Sequence, residues 1–282
     1  MIGVTVTSSP IGALVIEKLL EREVPAERIV ALVQDEAGAE GVRVEKRPVD
    51  VDVPATLHEA LRGVEKLVFI PTSEVGQRLK QADNVVNAAK YEGVGLLAYL
   101  SILNAETNGM AVATEHEATE QFIKRSEIPH VFLRHSWYLE NFTHYVPRYL
   151  DTGRIYGAAG KGRIAAAGRV DVAEAAAVLM TEDHGVDRAF ELAGDEPFTY
   201  EEFAEMLTRE SGTPVAYENL DPDALKETLQ EQGVGLEAAS MKADRDAGVA
   251  RGDLDSMSSD LPDLLSRPTK SLREAIREAL QG

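Results

Sequence analysis

A short polar turn near the N-terminus is the first stretch of this chain whose residue types and spacing could do chemistry. Residues 4–20, VTVTSSPIGALVIEKLL, combine a β-branched strand, a tight turn of hydroxyl-bearing residues and an apolar helix. The N-terminus of a helix presents free N–H groups and a positive dipole, which suits the pyrophosphate of a dinucleotide. The stretch therefore predicts a dinucleotide-binding turn.

The glycines of such a turn are largely missing here. Val6, Ser9 and Gly12 stand where dinucleotide-binding turns carry glycines that make the turn, admit the pyrophosphate and let the helix pack on the strand. Val6 is β-branched and disfavours a positive φ, and Pro10 lacks an N–H donor. Two interpretations stay open. Either Ser9 caps the helix, with Pro10 at its first position, and no phosphate binds, or the turn's hydroxyls replace the lost donors.

Other reactive patterns are incomplete. The stretch GAAGKG at 157–162 lacks the first glycine and the Ser or Thr of a phosphate loop, and HEATE at 116–120 lacks the second histidine of a zinc-protease helix. The chain has no cysteine, which excludes disulfides, thiolate catalysis and Cys-ligated metals, and its six histidines are scattered. We expect no metal site, so any redox chemistry must come from a bound cofactor. No Gly-x-Ser-x-Gly elbow occurs, which disfavours an α/β-hydrolase.

The charge and hydropathy patterns exclude some partners. A formal net charge of −19 would repel a phosphate backbone, so we expect no nucleic-acid partner. The acidic surface fits either simple solubility or a salt-adapted cytoplasm. No apolar run approaches the roughly 18–20 residues that span a bilayer, and the chain begins with a strand pattern instead of a signal peptide. These patterns favour a cytoplasmic protein without a membrane partner.

The elements that must position the turn alternate between strand and helix. The hydrophobic pattern predicts strands at 1–6, 28–33, 42–47, 65–70, 94–100 and 129–134, and helices at 11–22, 54–62, 75–91 and 112–126. Continuously apolar strands separated by helices indicate a parallel sheet covered on both faces. We predict a doubly wound, Rossmann-like α/β fold whose ligand crevice lies at the carboxyl ends of the strands.

The pattern changes after about residue 150. A Gly-rich loop, a short strand and an Ala-rich helix are followed by a strand and a helix whose Thr199 and Glu202 fit a capping box, and residues 213–282 are helical and loop-rich. No Pro/Gly/Ser-rich linker precedes this part. We therefore expect an NAD(P)-binding domain at 1–150 and a smaller α+β substrate lobe at 151–282, partly interleaved with the first.

Stretches along essentially the whole chain resemble the NmrA-like branch of the atypical short-chain dehydrogenases. They are most similar to the bacterial NAD(P)H:quinone oxidoreductases of type 2, and less so to the triphenylmethane-dye and azo-dye reductases. The stretches are VTVTSSPIG, VDVDVPATL, IPTSEVGQR, YLSILNAET, EHEATE, IPHVFLRHSWYLENF, GRIAAAGRVDVAEAAA, FELAGDEPFTYEEFAEML, YENLDPDAL and RPTKSLREAI.

The resemblance implies a function. It implies an NAD(P)H-dependent oxidoreductase, a monomer or homodimer, that passes hydride to a quinone or similar flat acceptor held between two lobes. The alternative is a regulatory NmrA-like protein that senses a nucleotide without turnover. The lost glycines favour the alternative, and the whole-chain similarity favours the enzyme.

The resemblance also implies a cofactor path. Gln34 stands where NADPH-preferring relatives carry an arginine for the 2′-phosphate, and it cannot supply that charge, so NADH is slightly favoured. Asp50 matches the position that binds the adenine amino group, and Pro71 replaces a serine beside the nicotinamide ribose. The candidate cofactor-binding residues are Thr7, Ser8, Ser9, Pro10, Ile11, Gln34, Asp50, Ile70, Pro71 and Thr72.

His116 matches the acid or base position of the family, and no tyrosine in the chain is followed by a lysine four residues later. An imidazole that titrates near neutrality could protonate a reduced quinone oxygen. The alternative is a histidine on a helix surface. Trp137, Tyr138, Asn141 and Phe142 follow the sixth strand and are expected to form an aromatic wall of the cleft between the lobes. Such a wall suits either a stacked quinone or an ordinary interface between lobes.

Overall fold

The central element of the computed structural model, which describes residues 1–72, 74 and 76–281, is a parallel seven-stranded sheet. Its strands run in the order β3-β2-β1-β4-β5-β6-β8, and every neighbouring pair is parallel. They are β1 (Ile2–Val6), β2 (Ile29–Val33), β3 (Glu45–Pro48), β4 (Lys66–Phe69), β5 (Leu96–Ile102), β6 (His130–His135) and β8 (Arg188–Leu192). β7 (Arg154–Gly157) pairs separately with β9 (Ala216–Asn219).

Helices cover both faces of this sheet and build the smaller lobe. They are α1 (Ile11–Glu21), α2 (Pro54–Leu61), α3 (Arg78–Glu92), α4 (Ala111–Ser126), α5 (Glu140–Thr143), α6 (Val146–Thr152), α7 (Arg169–Thr181), α8 (Tyr200–Ser211), α9 (Pro222–Glu231), α10 (Leu236–Arg251), α11 (Asp260–Leu265) and α12 (Leu272–Gln281). One buried apolar cluster lies between the sheet and α1, α7 and α11, and a second lies on the opposite face against α2 and α3. The predicted doubly wound α/β fold is confirmed.

Most predicted bounds shift by one or two residues, and two elements begin three residues later than predicted. The third strand begins at Glu45 instead of residue 42. α3 begins at Arg78, after a turn at Gly76 and Gln77, and the predicted helix start at Val75 lies outside the described residues. The predicted capping box is present: the Thr199 hydroxyl accepts from the Glu202 N–H, and the Glu202 carboxylate accepts from the Thr199 N–H. Among the described residues, no helix is both long and apolar enough to cross a membrane.

The chain returns to the central sheet after residue 150. α7 packs on α1, and β8 extends the sheet beside β6, with Leu133 opposite Phe190. The smaller lobe is then formed by β7, β9 and the helices α8, α9, α10 and α12. Residues 169–192 therefore pack with the central sheet, while the division into a domain at 1–150 and a lobe at 151–282 stays a prediction.

Candidate cofactor and acceptor site

The turn between β1 and α1 leaves the first amides of the helix open. α1 begins at Ile11, and Pro10, in the right-handed helical region at φ −68°, occupies the position before it without a side-chain acceptor. The Ser9 N–H donates backwards to the Thr7 Oγ1 at 3.2 Å. The prediction that Ser9 caps the helix is therefore wrong, because Pro10 itself adopts helical angles and Ser9 lies one residue too early.

The two outer glycine positions of the turn differ in their structural role. Val6 is fully buried in β1 opposite Val33, at a negative φ, so the first position remains part of the strand. A Cβ added to Gly12 would lie 2.6 Å from the Thr5 carbonyl oxygen and 3.2 Å from the Val6 Cα. Gly12 therefore permits the close contact of α1 with β1 that a larger residue would prevent.

The loop after β2 lies against the same turn. The Gln34 N–H donates to the Val6 carbonyl at 3.0 Å, which holds Gln34 at the carboxyl end of β2. A Cβ added to Gly38 would lie 1.7 Å from the Thr7 carbonyl oxygen. The Asp35 carboxylate accepts the Ala37 N–H at 2.9 Å and so forms its own turn. This loop thus brings the acidic side chain of Asp35 to the region expected for the adenosine.

Asp50 follows β3 at the same edge of the sheet. Its side chain is exposed, and its Oδ1 accepts the Asp52 N–H at 2.9 Å. A carboxylate can accept further hydrogen bonds on its second oxygen. Asp50 thus retains acceptor capacity for an amino group.

The end of β4 is held to its neighbours by hydrogen bonds. The Thr5 hydroxyl lies 2.7 Å from the Ile70 N–H and 3.1 Å from the Ile70 carbonyl. Thr72 donates its hydroxyl to Gln81 at 2.6 Å, and its carbonyl accepts from the Arg78 guanidinium at 3.2 Å. Pro71 lies half-buried between them. Ser73, also in the stretch expected to line the ribose, lies outside the described residues.

Arg78 links this strand end to His116. Its guanidinium donates to Glu115 at 2.8 Å as well as to Thr72, and its Nε is buried with no hydrogen-bond partner among the described residues. His116 is 7% exposed, and its Nδ1 lies 3.0 Å from the Tyr99 hydroxyl on β5. Burial, together with the positive charge of Arg78, lowers the pKa of His116 well below its ordinary value. The expectation of an imidazole titrating near neutrality is therefore wrong for the free protein, and so is the surface-histidine alternative.

Glu120, four residues after His116, belongs to a buried ion pair. It is fully buried and accepts from the Arg134 Nη2 at 2.6 Å and from the Ser101 Oγ at 2.6 Å. Arg134 also contacts the carboxylates of Glu106 and Glu191 at 3.0 Å each. This network joins α4 to β5, β6 and β8, and so fixes the helix that carries His116.

Three of the four candidate acceptor residues line one cavity. Trp137, Asn141 and Phe142 border a cavity of about 390 Å³ between α4, the segment after β6, and the smaller lobe. Tyr138 does not join the lining. Its ring stacks on the His135 ring at 4.6 Å between centroids, under the guanidinium of Arg169 at 5.2 Å. The prediction that Tyr138 faces the cleft is wrong, because the next residue of an extended segment points to the opposite side.

A charged cluster on α10 borders the same cavity. Lys242 and Arg245 contact the two oxygens of the buried Asp246 at 2.6 and 3.3 Å, and the Tyr200 hydroxyl donates to Asp246 at 3.2 Å. Burial lowers the pKa of Lys242 to about 8, although Asp246 opposes this shift. The Arg245 guanidinium also lies 5.5 Å from the Trp137 ring.

The sequence interpretation missed Arg78, Arg134, Lys242 and Arg245. Only the Lys242–Asp246 pair carries a local signal, since residues four apart share one face of a helix. The other partners come from distant parts of the chain. Their pairing depends on the packing of α3, α4 and α10.

Comparisons with known proteins agree with this architecture. A profile of the NAD(P)H-binding family matches residues 8–183. Quinone oxidoreductase 2 of Escherichia coli (strain K12) is 41% identical over 281 residues, which cover 98% of this chain and 97% of that protein.

Two solved structures are also similar. The NADPH-dependent quinone oxidoreductase of Escherichia coli, complexed with NADPH, is 40% identical with a TM-score of 0.96 over 99% of this chain and 100% of that one. The triphenylmethane reductase of Citrobacter sp., complexed with NADP(H), is 31% identical with a TM-score of 0.93 over 99% and 100% of the two chains. A preference for NADH finds no support in these relatives. The chain belongs to the NAD(P)H-binding family, in the NmrA-like branch that contains the type 2 quinone oxidoreductases.

Proposed function

We propose that this chain is an NAD(P)H-dependent quinone reductase. The observation that carries the proposal is the cavity lined by Trp137 and Phe142. Val112 of α4 also lines this cavity, and His116 lies one helical turn further along the same face of α4. A flat aromatic acceptor stacks favourably in such a lining. The similarity to a quinone oxidoreductase over nearly the whole length supports the same acceptor class.

The residues at the carboxyl ends of β1, β3 and β4 fit a dinucleotide. The first turn of α1 has no acidic residue and no side-chain cap, so its N–H groups and dipole can receive a pyrophosphate. Ser8 is exposed and Ser9 half-exposed beside these amides, and Asp50 offers its carboxylate to an adenine amino group. When bound, NAD(P)H supplies a hydride, which together with one proton reduces a quinone to a hydroquinone.

His116 supplies a positioned hydrogen-bonding group at the other end of the path. Tyr99 holds its Nδ1, and burial, together with the positive charge of Arg78, lowers the pKa of the ring and so favours its neutral form in the free protein. Negative charge that develops on a nearby acceptor oxygen raises the pKa of an imidazole, because an opposite charge stabilises the protonated ring. We propose that His116 orients the acceptor oxygen, takes up a proton from solvent as this charge forms, and passes that proton to the oxygen.

The first test is direct binding of NADH and NADPH by calorimetry, followed by turnover with 1,4-naphthoquinone. We expect saturable binding below millimolar concentrations. Gln34, Asp35 and Asp50 carry no positive charge that could pair with the 2′-phosphate of NADPH. The ratio of the two dissociation constants then shows whether the chain prefers NADH or NADPH. Absence of saturable binding of either nucleotide would refute the enzyme.

The second test replaces His116. The variant His116→Gln keeps a hydrogen-bonding side chain but removes proton transfer, so we expect kcat to fall about 100-fold. His184→Gln, on a half-buried histidine beyond α7 and away from the cavity, is the matched control and should leave kcat unchanged. Equal kcat values for the two variants would exclude His116 as the proton donor.

A regulatory nucleotide-binding protein is the second candidate. The buried Val6 and the helical Pro10 favour it over the reductase, since a turn that holds the pyrophosphate less closely also positions the nicotinamide less precisely for hydride transfer. Saturable nucleotide binding without turnover of any quinone would support this candidate against the reductase.

A further inference from the structure

The cavity beside Trp137 is rich in positive charge, although the whole chain is strongly acidic. Its lining includes the cationic side chains of Arg148, Arg154, Lys242 and Arg245 and one acidic side chain, that of Asp244. The chain as a whole has 29 Lys and Arg against 48 Asp and Glu. The charge of the cavity is therefore opposite to that of the protein around it.

The carboxylates behind the lining do not cancel this charge. Lys242 and Arg245 share one carboxylate, Asp246, and Arg154 pairs with Glu218. Asp244 accepts the Ala111 N–H at 3.0 Å. With these carboxylates counted, the lining keeps an excess of one positive charge.

Arg148, one of these four cations, lies at the rim of the cavity. Its guanidinium donates to the amide oxygen of Gln232 at 2.5 Å, and among the described residues it forms no ion pair. It is exposed to solvent. A ligand can therefore meet a cation at the entrance as well as inside.

The two inner cations lie on aromatic faces. The Lys242 Nζ is 5.2 Å from the Tyr200 ring centroid, and the Arg245 guanidinium is 5.5 Å from that of Trp137. Both side chains are about one-fifth exposed. An anion placed here meets a poorly screened positive charge next to a surface for ring stacking.

We propose that the acceptor of this cavity is a flat aromatic quinone that carries a carboxylate or sulfonate group. Its ring packs in the aromatic lining, and its anionic group pairs with Lys242 and Arg245. This inference rests on the proposed quinone reductase and specifies the substrate class of the same site. A neutral quinone uses the aromatic lining alone and binds more weakly.

The only tryptophan of the chain gives a direct readout of the cavity. Trp137 lines it, so quenching of its fluorescence reports occupancy without turnover and without cofactor. Quinones can be used as probes because the chain has no cysteine for them to alkylate. The two probes are 1,4-naphthoquinone-2-sulfonate and 1,4-naphthoquinone, compared at pH 7.

At low salt we expect the sulfonate to bind about tenfold more tightly than the neutral quinone, and the advantage to shrink in about 1 M KCl, where charges are screened within about 3 Å. Lys242→Met should remove most of the advantage, and Lys242→Arg should keep it. Lys90→Met, which removes the same charge from the exposed side of α3, is the matched control and should not alter the ratio.

The outcomes separate this inference from the proposed function. Equal binding of the two probes, or the same ratio in Lys242→Met and Lys90→Met, would refute the anionic acceptor even if both quinones were reduced. Preferred binding of the sulfonate without reduction of either quinone would refute the reductase but keep the anionic site. If Lys242→Met does not fold, Arg148→Gln tests the same preference from the exposed rim, where we expect the sulfonate's advantage to fall severalfold.

Discussion

Replacement of Val6 by glycine should lower the stability of the protein and raise its affinity for the cofactor. Val6 is fully buried in β1, and the change removes three buried carbon atoms. At about 0.8 kcal/mol per carbon this costs roughly 2.4 kcal/mol, to which a glycine inside a strand adds about 0.5–1 kcal/mol. We expect Val6→Gly to lower the free energy of unfolding by about 3 kcal/mol. At about 2 °C per kcal/mol for a chain of this size, Tm falls by about 6 °C.

The same replacement should help the cofactor. Together with Ser9→Gly it frees the backbone to turn toward a pyrophosphate, because glycine adopts angles that valine cannot. One added hydrogen bond from a backbone N–H to a charged phosphate contributes about 1.5 kcal/mol, which corresponds to roughly tenfold tighter binding. The double variant should therefore be less stable and bind NAD(P)H more tightly.

Val4→Gly is the matched control, because Val4 is equally buried in β1 but lies away from the turn. It should lose similar stability without any gain in affinity. Urea unfolding gives the stability of each variant, and calorimetry gives the dissociation constants. If the variants at Val6 and Val4 bind the cofactor equally, the turn does not limit binding, and Gln34 becomes the next residue to change. A stability loss below about 1 kcal/mol for Val6→Gly would contradict its packing.

Two further predictions concern the groups around the site. Glu120→Gln should cost about 3 kcal/mol, because it leaves the buried Arg134 without its main counter-charge, whereas the exposed Glu59→Gln should cost nothing measurable by urea unfolding. Burial lowers the pKa of His135 to about 4, so the unfolded chain takes up its proton first as the pH falls below 6.5. Stability should therefore drop between pH 7 and pH 5 by about 1–2 kcal/mol more in the native chain than in His135→Asn. If the free energy of unfolding changed with pH in the same way in both proteins, the burial of His135 would be contradicted.

The fold could be predicted from the sequence because its signals are local. Continuously apolar strands at regular intervals, separated by helices, leave few arrangements other than a parallel sheet covered on both faces. Gly12 was also predictable, because the residue type at a helix start next to a strand limits how closely the two can pack. Thr199 and Glu202 carry their capping partners within three residues, and their structure follows the prediction.

The site was less predictable because it depends on distant contacts. The Ser9 cap fails since one backbone conformation, that of Pro10, moves the helix start by a residue. Tyr138 was grouped with Trp137 by sequence proximity, whereas the alternation of an extended segment sends the two side chains to opposite sides. Residue type suggested that His116 is a surface group or a neutral-pH acid, but burial beside Arg78 sets its protonation.

The sequence by itself determined the layer architecture, the dinucleotide-type turn and the family. These depend on hydrophobic period and on residue types at short spacing. Only the tertiary structure decided the charge of the acceptor cavity. Arg148, Lys242 and Arg245 are few among many charges in an acidic chain, and packing of α6 and α10 against the segment after β6 places them around Trp137. Electrostatic interactions depend on distance and burial, and neither can be read from the order of residues.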